Sequence, residues 1–130
     1  MSNKYILAID QGTTSTKAII FDNHGNIISS ALREVKNTFP HPGWVECNPM
    51  KIWVSVVDVI NEALILGSLS WKDIDSIGIT NQRETIVVWD KKTNKPVYNG
   101  IVWQSRQSLD VCLNLKQHEK EIFKRTGLLI

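Results

Sequence analysis

Residues 4–22 read KYILAIDQGTTSTKAIIFD, and the fold turns on this stretch. Lys4 to Ile9 is an almost continuous apolar run of strand length that stops at Asp10, the pattern of a buried strand. Gln11-Gly12-Thr13-Thr14 makes a tight connection, and Thr16 to Asp22 is predicted to be a second strand with KAIIF at its heart. Asn23-His24-Gly25-Asn26 supplies another turn, followed by a third strand from Ile27 to Arg33. Strands joined by such short turns pair antiparallel, because parallel neighbours need a long crossover.

Beyond this meander, Lys36 to Asn48 carries Pro40, Pro42 and Gly43 and reads as an ordered loop anchored by Trp44. Asn48-Pro49 is a helix start, Asn as the capping side chain and Pro at the first helical position. Ile52, Val56, Val59, Ile60 and Ala63 follow at helical spacing, with Asp58 and Glu62 on the other face and Gly67 as the stop. After a short turn at Trp71 to Asp73, Ile74 to Thr80 is a fourth strand, and the helical crossover before it is long enough for parallel pairing. Ile6 to Ile9 and Ile77 to Ile79 are the most apolar strand segments, so both are expected at the centre, the fourth strand beside the first. Thr85 to Trp89 reads as a fifth strand, Lys91 to Pro96 as a polar turn, Ile101 to Trp103 as extended, and Ser105 onward as helix.

The chain has 130 residues, 42% of them hydrophobic, with fifteen Lys and Arg against thirteen Asp and Glu, and this composition excludes a disordered chain. A net charge of +2 leaves no electrostatic footprint for nucleic acid. The apolar runs fall far short of the ~20 residues of a membrane span, and Asp10 interrupts the first of them too early for a signal peptide. Cys47 and Cys112 form neither a CxxC pair nor a zinc spacing and read as free thiols in a reducing cytoplasm. The final Thr126-Gly127-Leu128-Leu129-Ile130 carries three aliphatic residues that want burial, so the chain is expected to be the front piece of a longer protein.

Three motifs carry chemistry. In Asp10-Gln11-Gly12-Thr13-Thr14-Ser15-Thr16-Lys17, Gly12 permits close backbone approach, and backbone N–H groups with the hydroxyls of Thr13, Thr14 and Ser15 suit an anion. Lys17 adds a cation, and Asp10 suits a hydrated Mg²⁺. The run matches neither GxxxxGK[ST] nor GxGxxG, and a plain Thr-rich hairpin is the competing reading. Asn81-Gln82-Arg83-Glu84 follows a strand end, where α/β sheets place ligands, and pairs a donor fork with a carboxylate, as a polyhydroxyl compound requires; a surface ion pair competes. Trp103-Gln104-Ser105-Arg106 offers an indole to cover a carbon skeleton, against simple core packing. Trp44, Trp53, Trp71 and Trp89 are expected as core or loop anchors, and the scattered His24, His41 and His118 make no metal site.

The order β-β-β-α-β, with helices after it, resembles the ribonuclease-H-like, actin-type ATPase module: an α/β domain whose mixed sheet has an antiparallel three-strand meander and flanking helices. Taken together, LAIDQGTTSTKAIIFD, PGWVECNP, GITNQRET and IVWQSR resemble the N-terminal part of the FGGY family of carbohydrate kinases, and its glycerol-phosphorylating branch in particular. The resemblance covers Tyr5 to Ile130 and implies transfer of the ATP γ-phosphoryl group to glycerol, giving glycerol 3-phosphate and ADP. It implies nucleotide contacts at Gly12, Thr13, Thr14, Ser15 and Lys17, although Lys17 stands where arginine is commoner and cannot make a bidentate clamp. It further implies Mg²⁺ held through water by Asp10, and glycerol contacts from Arg83, Glu84 and Trp103. Residues 1–130 would form the front part of the first of two domains. The general base, a tyrosine ligand and the adenosine-binding second domain would lie beyond Ile130. The fragment alone would then be inactive, and the full-length protein a homo-oligomer. Another sugar or polyol kinase of the family, a non-catalytic actin-like module and a nuclease of the same fold are the alternatives. The nuclease is disfavoured because the stretch Ser76 to Thr80 of the fourth strand carries no acid.

Overall fold

The computed structural model describes residues 4–130. Its main sheet has four strands: β1 (Tyr5–Gln11), β2 (Ser15–Phe21), β3 (Ile27–Glu34) and, later in the chain, β5 (Ile74–Asn81). The spatial order is β3-β2-β1-β5, with β1 antiparallel to β2, β2 antiparallel to β3, and β1 parallel to β5. The meander and the position of the fourth strand beside the first therefore hold. β4 (Glu46–Cys47) pairs with β6 (Gly100–Ile101) in a separate two-stranded ribbon. The helices are α1 (Pro49–Leu66), α2 (Leu109–Leu115) and α3 (Glu119–Thr126).

Sequence accounts for α1 at both ends. The Asn48 carboxamide oxygen accepts from the backbone N–H groups of Met50 (2.9 Å) and Lys51 (3.2 Å), and Pro49 occupies the first helical position. At the far end Gly67 donates its N–H to the Ala63 carbonyl at 3.0 Å. Val59, Ile60, Ala63 and Leu64 of α1 pack on Leu7, Ile9, Ala18, Ile20 and Ala31 of β1 to β3, which together make the principal core. Each large aliphatic side chain fully buried here contributes about 1.5–3 kcal/mol relative to exposure. Inside this apolar layer the hydroxyls of Thr16 and Ser55 meet at 2.7 Å, joining β2 to α1 and satisfying two buried polar groups.

Three expectations fail. β5 lies outside β1 as an edge strand among the described residues, and Ile79 is 72% exposed. Apolarity alone signals that a strand wants cover; the principal core takes its buried residues from β1, β2, β3 and α1, and of β5 just Ile74 packs against it among the described residues. Thr85 to Trp89 is not a strand of the sheet. Its contacts are isolated bridges, Ile86 with Ile101 and Trp89 with Pro96, and Glu84 just before it adopts φ +63°, which breaks the extended backbone. Trp53, Trp71 and Trp89 are likewise exposed rather than core, whereas Trp44 is half-buried with its ring edge-on to His41 at 4.7 Å.

Candidate functional site

The parallel strands β1 and β5 end side by side, with Asp10 opposite Thr80 and Gln11 opposite Asn81. Across the antiparallel pair Asp10 stands opposite Lys17, so carboxylate and ammonium share one sheet face, the one turned away from α1. The hairpin that follows is tight: Gly12 donates its N–H to the Ser15 carbonyl at 2.8 Å. A Cβ added to Gly12 would come within 3.1 Å of that oxygen, so its glycine is fitted to the hairpin itself. The hairpin is braced on β3's side by Val35, which donates to the Thr14 carbonyl at 2.8 Å, and by the Asn37 amide, which reaches the Thr13 carbonyl at 3.3 Å.

From the end of β5 the chain runs directly into Gln82, Arg83 and Glu84. Gln82 is buried to 9% exposure and is the hub. Its amide donates to Gln11 Oε1 (3.0 Å) and to the Gly12 carbonyl (3.4 Å), and its Oε1 accepts from the Thr85 hydroxyl (3.0 Å). Thr85 Oγ1 in turn accepts from the Trp103 backbone N–H at 3.3 Å. The circuit closes where the Trp103 indole Nε1 donates to Thr13 Oγ1 at 2.9 Å. Hairpin, NQRE loop and Trp103 loop are thereby joined by side-chain hydrogen bonds, although they lie far apart in sequence.

Arg83, Glu84 and Trp103 line a cavity of about 270 Å³. Arg83 and Glu84 are exposed, and a left-handed backbone at a non-glycine residue such as Glu84 is a conformation that proteins keep where the surroundings enforce it. A larger hollow of about 360 Å³ between β3 and α1, lined by Arg33, Lys51 and Asp58 among others, touches none of the three motifs. Chemistry rather than size distinguishes the smaller one: a guanidinium, a carboxylate and an indole converge there, and the indole reaches the Thr13 hydroxyl of the hairpin.

All the residues that the three motifs nominate thus fall at one end of the sheet or on the loops joined to it. Thr13 is tied to Trp103, Thr14 is exposed, and Ser15 and Lys17 are half-buried. Among the described residues no group of three or more His, Cys, Asp and Glu could hold a metal. A lone exposed carboxylate such as Asp10 suits a hydrated Mg²⁺ that takes its remaining ligands from water and phosphate, and does not suit zinc. Sequence reasoning missed Gln82 and Thr85 as connectors, although Gln82 stands within the NQRE run and Thr85 directly follows it. It also missed Glu46, a residue 1% exposed whose carboxylate accepts from Tyr98, Asn99 and Gln107. The Asn99 amide foremost, with Tyr98 and Gln107, holds that carboxyl below the usual carboxylate range. The same contact pushes the Tyr98 phenol up, and burial pushes up the neighbouring Cys47 thiol.

Comparison with known proteins bears on this geometry. Residues 5–130 match the model of the FGGY family of carbohydrate kinases, N-terminal domain. A glycerol kinase of Xanthomonas campestris is 54% identical over the whole chain, and one of Bacillus licheniformis is 57% identical over 98% of it. The chain spans only 26% of the length of each of these curated relatives. Among solved structures, Plasmodium falciparum glycerol kinase with ADP superposes with a TM-score of 0.87 at 34% identity, over 98% of this chain and 26% of that one. A gluconate kinase from Lactobacillus acidophilus reaches 0.88 at 23% identity, a likeness of fold.

Proposed function

This chain belongs to the FGGY family of carbohydrate kinases, and from that premise we propose that the full-length protein transfers the γ-phosphoryl group of ATP to glycerol. The observation that carries the choice of acceptor is the cavity of Arg83, Glu84 and Trp103, joined to the hairpin by the Trp103–Thr13 hydrogen bond of 2.9 Å. Glycerol is small, uncharged and fully hydroxylated, so a site must recognise it by hydrogen bonds. The Arg83 guanidinium donates, the Glu84 carboxylate accepts, and the indole covers the carbons. The glycerol kinases among the relatives support the same acceptor.

In this reading Gly12, Thr13, Thr14, Ser15 and Lys17 face the phosphates. Thr13 Oγ1 accepts from Trp103 and still has its own O–H to donate toward a phosphate or acceptor oxygen. Asp10 would hold Mg²⁺ through water, and the ion would neutralise charge on the transferring group. Phosphoryl transfer rests on positioning and charge stabilisation, so what these residues contribute is alignment of the acceptor beside the phosphate hairpin. Residues 1–130 form the front part of the first of two domains; the general base and the adenosine site belong to the rest, and the fragment by itself is inactive. The two free cysteines fit a cytoplasmic enzyme.

The test is the full-length protein assayed with ATP against glycerol, gluconate and several pentoses. Turnover of a pentose or gluconate equal to or better than glycerol overturns the acceptor. Arg83→Ala and Glu84→Ala should each lower kcat/KM for glycerol at least ~10-fold, with KM for ATP little changed. Trp103→Phe should be milder because a flat apolar ring remains.

A further inference from the structure

Glu46 is a buried carboxylate with no cationic partner within salt-bridge distance among the described residues. Burying a charge in this way is costly and is sustained only by well-made hydrogen bonds. Here they come from three neutral side chains: Tyr98 Oη to Oε1 at 3.1 Å, Gln107 Nε2 to Oε1 at 3.0 Å, and Asn99 Nδ2 to Oε2 at 3.0 Å. Tyr98 and Asn99 precede Trp103 in the chain and Gln107 follows it, so one carboxylate grips both limbs of the segment that presents the indole.

Trp103 cannot hold itself in place by burial, since it is 52% exposed. Its position depends on its backbone, and that backbone is stitched to the Glu46 segment. Val102 donates to the Val45 carbonyl (3.1 Å), Arg106 to the Gly43 carbonyl (2.8 Å), and the Val45 N–H donates to Ser105 Oγ (3.1 Å). Glu46 and Ile101 face each other across the β4–β6 ribbon. We propose that Glu46 is a positioning residue for the acceptor site, clamping Tyr98, Asn99 and Gln107 so that Trp103 meets Thr13 and lines the cavity with Arg83 and Glu84. The proposal rests on the acceptor reading of Trp103 and adds to it a residue that touches no substrate.

A double-mutant cycle in the full-length protein tests both, with Glu46→Gln, Trp103→Ala and their combination assayed with glycerol varied at saturating ATP and the reverse. Glu46→Gln keeps size and shape but turns one acceptor oxygen into a donor that faces another donor. Trp103→Ala should lower kcat/KM for glycerol about 10-fold, and Glu46→Gln about 3- to 10-fold, chiefly through KM for glycerol with KM for ATP within about 2-fold. In the Trp103→Ala background, Glu46→Gln should add less than about 2-fold, because the residue acts through the indole. Unchanged glycerol kinetics in Glu46→Gln, or effects that multiply in the double variant, overturn the clamp while leaving the acceptor reading intact. Unchanged glycerol kinetics in Trp103→Ala overturns the acceptor role of the indole, and the clamp with it. Should Glu46→Gln fail to fold, Gln107→Ala removes one donor from the other side and runs through the same cycle with the same criteria.

Discussion

The hairpin at Gln11 to Ser15 stands on Leu7, Ile9, Ala18 and Ile20, whereas the loop around Trp103 stands on the three-residue cluster of Val45, Cys47 and Val102. Under the hairpin, apolar side chains of three strands and one helix interlock. Beneath the Trp103 loop there is little apolar burial, and polar groups take over: the Glu46 carboxylate and the backbone bonds of residues 43–47 to 100–106. Apolar packing is non-directional and tolerates modest change, while hydrogen-bonded networks hold particular atoms and fail when one member is lost. On the proposed reading, a hairpin that takes phosphate on its backbone N–H groups needs a rigid floor. A loop that presents one side chain needs that side chain aimed.

The contrast can be broken most severely from the apolar side. Leu7→Ala empties a fully buried position between β2 and α1 and should cost about 2–5 kcal/mol, read as a lowered urea midpoint of the full-length protein. A midpoint shifted no more than that of an exposed-site control would mean the hairpin's floor is not where its stability lies. Gly100→Ala attacks the smaller cluster: the new Cβ would come within 2.8 Å of Cys47 Sγ and 3.1 Å of Val87 Cγ2. Overpacking of this kind costs about 1–3 kcal/mol. Its signature should be a raised KM for glycerol out of proportion to any change for ATP, and equal changes for both substrates would erase the distinction between the two regions.

Asn48→Ala should cost about 1 kcal/mol in thermal unfolding, because two backbone N–H groups at the start of α1 lose their acceptor. No effect on either KM is expected. The last test separates the regions by pH. The Glu46 carboxyl is held below the usual range by Asn99, Tyr98 and Gln107, so it releases its proton more readily folded than unfolded. Its contribution to stability is therefore complete above the ordinary carboxylate pKa and is lost as pH falls through the lowered folded value. Wild type should exceed Glu46→Gln in stability near pH 7, and the gap should close in acid. A gap that widens in acid would show the sign to be wrong.

Much of this fold was legible along the chain. The meander follows from two apolar runs and a third strand separated by turns too short for anything but antiparallel pairing, and α1 from Asn48-Pro49 with apolar residues at helical spacing. That the nominated residues lie at strand ends was legible too, since a polar run ending an apolar strand announces a strand end, and strand ends are where this sheet gathers its loops. Thr85 to Trp89 was misread because β-propensity does not reveal a left-handed residue such as Glu84 immediately upstream.

What the sequence determined alone is local: strand period, turn chemistry, the cap of α1, and a set of residues with donor, acceptor and cation character. What tertiary structure decided is which of them meet. The Trp103 indole lies 90 residues from the Thr13 hydroxyl it binds, and the Glu46 carboxylate 52, 53 and 61 residues from its donors. No periodicity encodes those separations. They are set when β5 crosses over to lie parallel with β1 and the β4–β6 ribbon folds back, and hydrogen bonds, being directional and short, select partners only after packing has brought them within reach.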